Sequence, residues 1–525
     1  MNALLVLASL FLIIIYLIYL LSKRKFSYWA KKNVPHVKPL PILGNYGEYI
    51  LQQEYPGHIL QKLCQKFLDE PYFGAFLGTE PVLVVHSPEI IKHIFTKDFY
   101  YFHGREISKY TSKEVVTQNL FFSGGDRWKI IRQNLTPLFS SAKMKNMFYL
   151  IEKCSYEFED MLDRETSMSN IIEARSVSAR FTMDCICSCA FGVESNTMGP
   201  DDKNPFKLSA DAIFEATPYR GFKIMCRAIW PAIFYGLGLK VFPPTIDQFF
   251  SQLLKGVFES RGHKPSPRND FVDLVLTLKN QDQLTGDSIS NTKTGENKKV
   301  HLKVDDDLLV SLCIMFFGAG FETSASTMSF TLLELAKNPE VQRKAAEEVD
   351  GFLKRHGNRL NYECLNELPY LEGCMYEALR KYPVFGVLAR EVMDDNVLPT
   401  GLQLDAGVRV HIPVFQMHHN PDYFPEPEKY KPERFLPENK DNLVPYTYFP
   451  YGEGPRICIG KRFSKMQVMS GLIGFLKAYR VELADGMPDT IPFDPRTFLT
   501  QPKDMDIKLK LTKREGWETR NYARV

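Results

Sequence analysis

From residue 3 to residue 21 every position is apolar except Ser9. A helix rising about 1.5 Å per residue over such a run matches a bilayer core of roughly 30 Å, so the pattern predicts a transmembrane helix. It would occupy residues 1–22. No Lys or Arg precedes the run and no clear small-residue cleavage site follows it, which favours a retained anchor over a cleaved leader. Lys23, Arg24, Lys25, Lys31 and Lys32 come next, and the positive-inside rule then places the rest of the chain in the cytosol. Residues 23–45 are basic and then proline-rich, ending in VPHVKPLPILG, which reads as a stiff extended linker. Between positions 125 and 381 helical periodicity dominates, in WKIIRQNLTPLF, in 305–337 and in VQRKAAEEVDGFLKR. Extended pieces are expected at 82–86, 408–415 and 506–512. The polar stretch 280–299 reads as a surface loop. The stretch 418–435, with its four prolines, reads as an irregular segment that side chains must pin. The expected architecture is mainly α with small β-sheets, one domain over residues 46–525.

Composition adds a large interior. Hydrophobic residues make up 44% of 525 positions and aromatics 13%, enough for a deep apolar cavity. A formal charge of +3 is too mild to imply nucleic-acid binding. Ten cysteines in a reducing compartment should be free thiols, and the Asn134 sequon is then irrelevant. Cys185, Cys187 and Cys189 invite a metal reading, but no second Cys or His pair completes a zinc site, so packing is expected.

The chemistry concentrates at 448–460, YFPYGEGPRICIG. It is no P-loop: five residues separate Gly454 from Gly460, and Arg462 stands where Ser or Thr would hold magnesium. Ile457 occupies the last glycine position of a dinucleotide fingerprint begun at Gly452, GAGFET at 318–323 fails likewise, and no HExxH or GxSxG occurs. A cysteine acting as sole ligand to haem must be a thiolate close to the porphyrin. Gly452, Gly454 and Gly460 would let backbone pass a flat cofactor, and amides at a following helix start would stabilise the anion on Cys458. Arg456 suits a propionate.

YGEGPRICIG resembles the haem-binding signature of the cytochrome P450 family, F-x-x-G-x-R-x-C-x-G, with Tyr451 at the position of the Phe. Trp128 to Arg132 resembles the W-x-x-x-R of that family's C helix, both side chains reaching a propionate, and Arg390 matches a further propionate position. Ala319 to Thr323 resembles A/G-G-x-D/E-T of the I helix, where Gly320 would allow local opening and Glu322 and Thr323 would relay protons to dioxygen. Glu377 and Arg380 resemble E-x-x-R, and with Arg434 of P-E-R-F they resemble a buried structural triad. The stretches LTPLFSSAKMKNMF and FPYGEGPRICIGKRF look most like insect microsomal members of xenobiotic-metabolising type.

The resemblance implies the haem-thiolate fold with haem b, its iron held by Cys458. It implies a monooxygenase inserting one atom of O2 into lipophilic substrates, xenobiotics, insecticides or plant toxins foremost. Electrons would come from NADPH through NADPH-cytochrome P450 reductase, with cytochrome b5 a helper, at a single-pass endoplasmic reticulum membrane protein facing the cytosol. Arg127, Lys129, Lys461, Arg462 and Lys465 are candidates for a basic docking face. By family position Phe121, Phe122, Phe316, Ala319, Val384, Val387 and Leu499 line the substrate pocket. The alternatives are an endogenous hormone or fatty acid as substrate, the same fold as a peroxide isomerase or dehydratase, and a non-catalytic membrane-tethered haem sensor or carrier.

Overall fold

The computed structural model describes residues 2–105, 107–201, 203–266 and 270–524. Its axis is the 32-residue helix Asp306–Lys337, here the central helix. The Asp305 side chain accepts from the Leu308 N–H at its start, Asp306 and Asp307 occupy its first turn and Lys337 its last, all favourable to the helix dipole. It is apolar around its circumference, as a helix enclosed by others must be. Among the described residues it is the one helix long and apolar enough to cross a membrane, yet most of it is buried inside the protein. Helices Ala174–Ile186, Pro244–Ser260, Pro369–Lys381 and Lys461–Leu476 pack around it. Residues Asn2–Lys25 form a 24-residue helix whose Leu5, Leu12 and Leu17 side chains are exposed.

The sheets are small. Strands Tyr72–Leu77, Glu80–Val85, Arg409–Ile412 and Leu388–Glu391 form one, with the middle pair parallel. Strands Tyr479–Leu483, Lys508–Lys513 and Ile171–Glu173 form another. The architecture is thus mainly helical with small sheets.

Three local expectations change. The 408–415 run is a strand only over Arg409–Ile412; Pro413 then withholds a ladder donor and helix Val414–His418 begins. In WKIIRQNLTPLF the α-helix is Gly125–Leu135, and Pro137 lies in the tighter turn Thr136–Phe139. Most of the 280–299 stretch is not a loop. Strands Gln283–Asp287 and Lys299–Lys303 pair as an antiparallel hairpin around a short helix Asn291–Thr294. Leu284 buries itself in the core, with Val300 and Leu302 packed against it, while polar residues on the outer face conceal the alternation.

Candidate active site

A deep cavity lies between the central helix and the 448–460 loop, and Cys458 is in its wall. The loop is closed by the Cys458 N–H donating to the Tyr451 carbonyl at 2.8 Å and the Gly452 N–H to Phe449 at 2.9 Å. Gly452 needs its positive φ of 73° for this turn. Helix Lys461–Leu476 starts immediately after Gly460. Although the Cys458 side chain opens onto the cavity, the protein packed around it pushes its thiol up, while the Gly460 N–H and the charges of Arg132 and Lys461 oppose the rise. A cation bound at the sulfur would reverse the balance and make the thiolate the stable form.

Arg105, Arg132, Arg390 and Arg456 all reach the wall of the same cavity, with Trp128. Arg456 donates to the Ser123 carbonyl and lies over the Trp128 ring at 4.7 Å, but its Nε has no partner. Arg390, 2% exposed, likewise leaves Nε unpartnered. Burial, then the neighbouring Arg105, pulls Arg390 down to about 9. Burial, then Arg105, Arg390 and Arg132, holds Arg456 well below the usual guanidinium range. Arg132 donates to the Ile457 carbonyl at 2.9 Å. Buried guanidiniums repelling one another, two with idle donors, fit a ligand bringing more than one carboxylate. The two propionates of haem over a cysteine meet that requirement. Arg105 belongs to no motif, and nothing in the sequence distinguishes it from a surface arginine.

The structure brings together only part of the expected I-helix machinery. Thr323 and Ala319 line the cavity, with the Thr323 hydroxyl donating to the Ala319 carbonyl at 2.9 Å. Glu322 is not in the wall. Its carboxylate, 1% exposed, accepts from Arg175 at 2.8 Å, Gln501 at 2.9 Å and Ser326 at 3.3 Å. The helix stays regular through this segment. Gly320 serves packing, since a Cβ there would lie 2.7 Å from Ile186. Gly454 also departs from expectation: it is outside the cavity wall, and a Cβ would fall 1.9 Å from the Phe95 carbonyl oxygen.

Of the expected pocket residues, Phe121, Phe316, Ala319 and Val384 line the cavity. Phe122 lies edge-on to Phe121 beneath Arg227, Val387 packs beside the sheet, and Leu499 is buried outside the wall. Sequence reasoning placed Phe121, Phe385 and Phe498 within the pocket stretches by family position but missed that their rings lie near-parallel, with centroids 6.1 and 6.2 Å apart, running from the cavity to a Phe498 that is 40% exposed. It also missed a polar strip beside Cys458. Ser464 neighbours Tyr451, and Ser324 donates to Ser464 at 3.4 Å and to Gln467 at 3.0 Å.

Glu377 and Arg380 are fully buried and paired at 2.8 and 2.9 Å, and Arg434 reaches Glu377 at 3.3 Å. Arg380 also holds the His418 and Pro427 carbonyls, and Arg434 those of Pro425 and Glu426, so the irregular segment is pinned by charge-assisted bonds. The basic face is thinner than expected. Arg127 turns to Gln118, Lys129 to the Ser288 carbonyl and Lys465 to Glu372, leaving Lys461 and Arg462 exposed. Cys185, Cys187 and Cys189 are buried in the core. A larger groove of about 1370 Å³ lies across the molecule, but its Glu334, Lys337 and Lys381 already hold partners.

Residues 34–509 match the cytochrome P450 family. The chain is 36% identical to cytochrome P450 6k1 of Blattella germanica, covering 94% of each chain. It is 32% identical to cytochrome P450 6B2 of Helicoverpa armigera, covering 96% of this chain and 97% of the other. With probable cytochrome P450 6a14 of Drosophila melanogaster it shares 33%, over 94% and 96%. A match of that extent, on a fold that sets one cysteine beneath an arginine cradle, means that the chain belongs to the cytochrome P450 family.

Proposed function

We propose that this enzyme oxidises lipophilic, ring-bearing foreign compounds. Family membership makes it a haem b monooxygenase that draws electrons from NADPH through a reductase. Haem, when bound, supplies the activation of O2 by which one oxygen atom enters the substrate and the other leaves as water. The chain's own residues do the rest. Cys458 would hold the iron and Arg105, Arg132, Arg390 and Arg456 the propionates. The Thr323 hydroxyl would hold a proton donor at Oγ1 inside the cavity. Phe121, Phe385 and Phe498 would orient a flat apolar substrate and exclude water; this ladder, ending at an exposed ring, is the observation that carries the substrate class.

Helix Asn2–Lys25, with Lys23, Arg24 and Lys25 in its last turn, would be the single-pass anchor in the endoplasmic reticulum. Just beyond it Trp29 is fully buried and donates to the Ala75 carbonyl at 2.9 Å, which would hold the body near the bilayer. Lys461 and Arg462 would meet an acidic patch on NADPH-cytochrome P450 reductase, with cytochrome b5 a helper.

The test is the carbon monoxide difference spectrum of the reduced protein beside Cys458→Ala, followed by turnover of an aromatic probe with NADPH and reductase. A thiolate-type band lost in the variant, with product formed by the parent and reduced by Phe385→Ala, is expected. A histidine-type band, or product independent of NADPH, overturns the reading.

A further inference from the structure

The 283–303 hairpin lies against helix Gly125–Leu135, which carries Trp128 and Arg132. The Gln133 amide donates to Asp287 Oδ2 at 2.7 Å and its oxygen accepts from the Asp287 N–H at 2.8 Å. Asp126 Oδ1 accepts from the Ser288 hydroxyl at 2.9 Å and the Ile289 N–H at 2.6 Å. Lys129 donates to the Ser288 carbonyl at 3.0 Å and Asn134 to the Thr285 carbonyl at 3.2 Å. The backbones meet closely, since a Cβ on Gly286 would lie 3.1 Å from the Ile130 Cα. Near the hairpin's tip Lys293 sits 5.0 Å above both the Tyr100 and Tyr101 rings, in the segment leading to Arg105.

We propose that this hairpin is a brace that positions the cofactor cradle, with Asp126, Gln133, Asp287 and Ser288 as positioning residues. It grips the outer side of the helix whose inner side presents Trp128 and Arg132, and the segment that presents Arg105. From that helix the connection to the cysteine loop is direct: Arg132 holds the Ile457 carbonyl, and Trp128 lies under Arg456. None of the four positioning residues lines the cavity. Loosening the brace lets the helix shift, and guanidiniums that repel one another then lose the placement that brings them to an anion. Hydrogen-bond partners of metal-ligating side chains change metal affinity by about 10- to 100-fold when removed, and a brace acting one step further out, through the helix, belongs at the lower end of that range.

The inference rests on the haem reading of the cavity. The experiment follows haem transfer from the holoenzyme to apomyoglobin, with the midpoint potential read alongside. Asp126→Ala/Gln133→Ala is expected to release haem about tenfold faster than the parent, with the thiolate-type carbon monoxide band unmoved. Asp126→Asn, which keeps the acceptor oxygen, is expected to restore near-parental release when combined with native Gln133. Ser288→Ala alters the hairpin alone and covers the case in which the double variant fails to fold. Arg343→Ala, in an exposed pair on helix Pro339–Arg355, is the surface control. Parental release from both the double and the Ser288 variants overturns the brace. A parent that takes up no haem overturns the function instead.

Discussion

The guanidinium of Arg456 is buried beside three others and donates only to the Ser123 carbonyl, so it is costly to the empty protein and useful once an anion arrives. Arg456→Met is therefore expected to stabilise the apoprotein by about 1–4 kcal/mol while speeding haem loss from the holoenzyme. Paired thermal melts of the two forms check this, and a variant that destabilises both contradicts it. Glu322 teaches a different lesson. Consecutive helical residues point about 100° apart, so a Glu and Thr side by side do not face one cavity together. Thr323 faces it, and Glu322 spends its charge on Arg175, whose side chain is 35% exposed. Arg175→Met is expected to lower the unfolding free energy by roughly 1–3 kcal/mol and to leave the carbon monoxide band in place. Denaturant titration of the holoenzyme measures the first and the difference spectrum the second.

At the level of elements, the cysteine loop depends on contacts its own motif does not announce. Gly454 has φ of 69° and its α-carbon faces the Phe95 carbonyl, so Gly454→Ala meets both a strained backbone and a clash. A loss of about 3 kcal/mol or more is expected, visible as a poor yield of holoenzyme. The cavity wall has a comparable fastening. Glu114 is buried and accepts from Tyr235 at 2.9 Å and from the Val241 and Phe242 N–H groups at 2.9 and 3.0 Å, tying the approach to Phe121 to the 235–242 segment. Tyr235→Phe removes one of these bonds and is expected to raise the dissociation rate of a lipophilic ligand about fivefold, read by stopped-flow spectral shift. The motifs E-x-x-R and P-E-R-F were legible together, through the family resemblance, because an i, i+3 Glu and Arg alone is more often a solvated pair, as Glu340 and Arg343 are here. The hairpin was not, because its apolar positions are few and its partner strand lies beyond a polar turn.

Across the whole molecule, burial sets the response to acid. His418 and His419 are packed beneath Arg380; burial, then Arg380, brings His419 down to about 3, and burial, then His419 and Arg380, brings His418 well below its usual value. Both are neutral in the folded state and take up a proton near pH 6.5 when unfolded. The unfolded chain therefore binds more protons as pH falls from about 6.5 toward 3, and stability drops across that window and not above it. Burial lowers His86 and His103 in the same way, each such histidine contributes up to about 1.4 kcal/mol per pH unit, and His419→Gln is expected to reduce the slope by about that amount. Melting curves across this range measure it; an unchanged slope in the variant contradicts the assignment.

Helix periodicity, the proline-rich breaks and the ordered motifs around Trp128, Thr323, Glu377 and Cys458 were readable along the chain, because each is a local constraint of period, charge spacing or backbone freedom. Family and activity followed from them. The arginine cradle with Arg105, the turning away of Glu322, the phenylalanine ladder and the brace at 283–303 arise where segments far apart in sequence meet. Side-chain direction and long-range proximity are properties of packing, and they emerge only when the chain is folded.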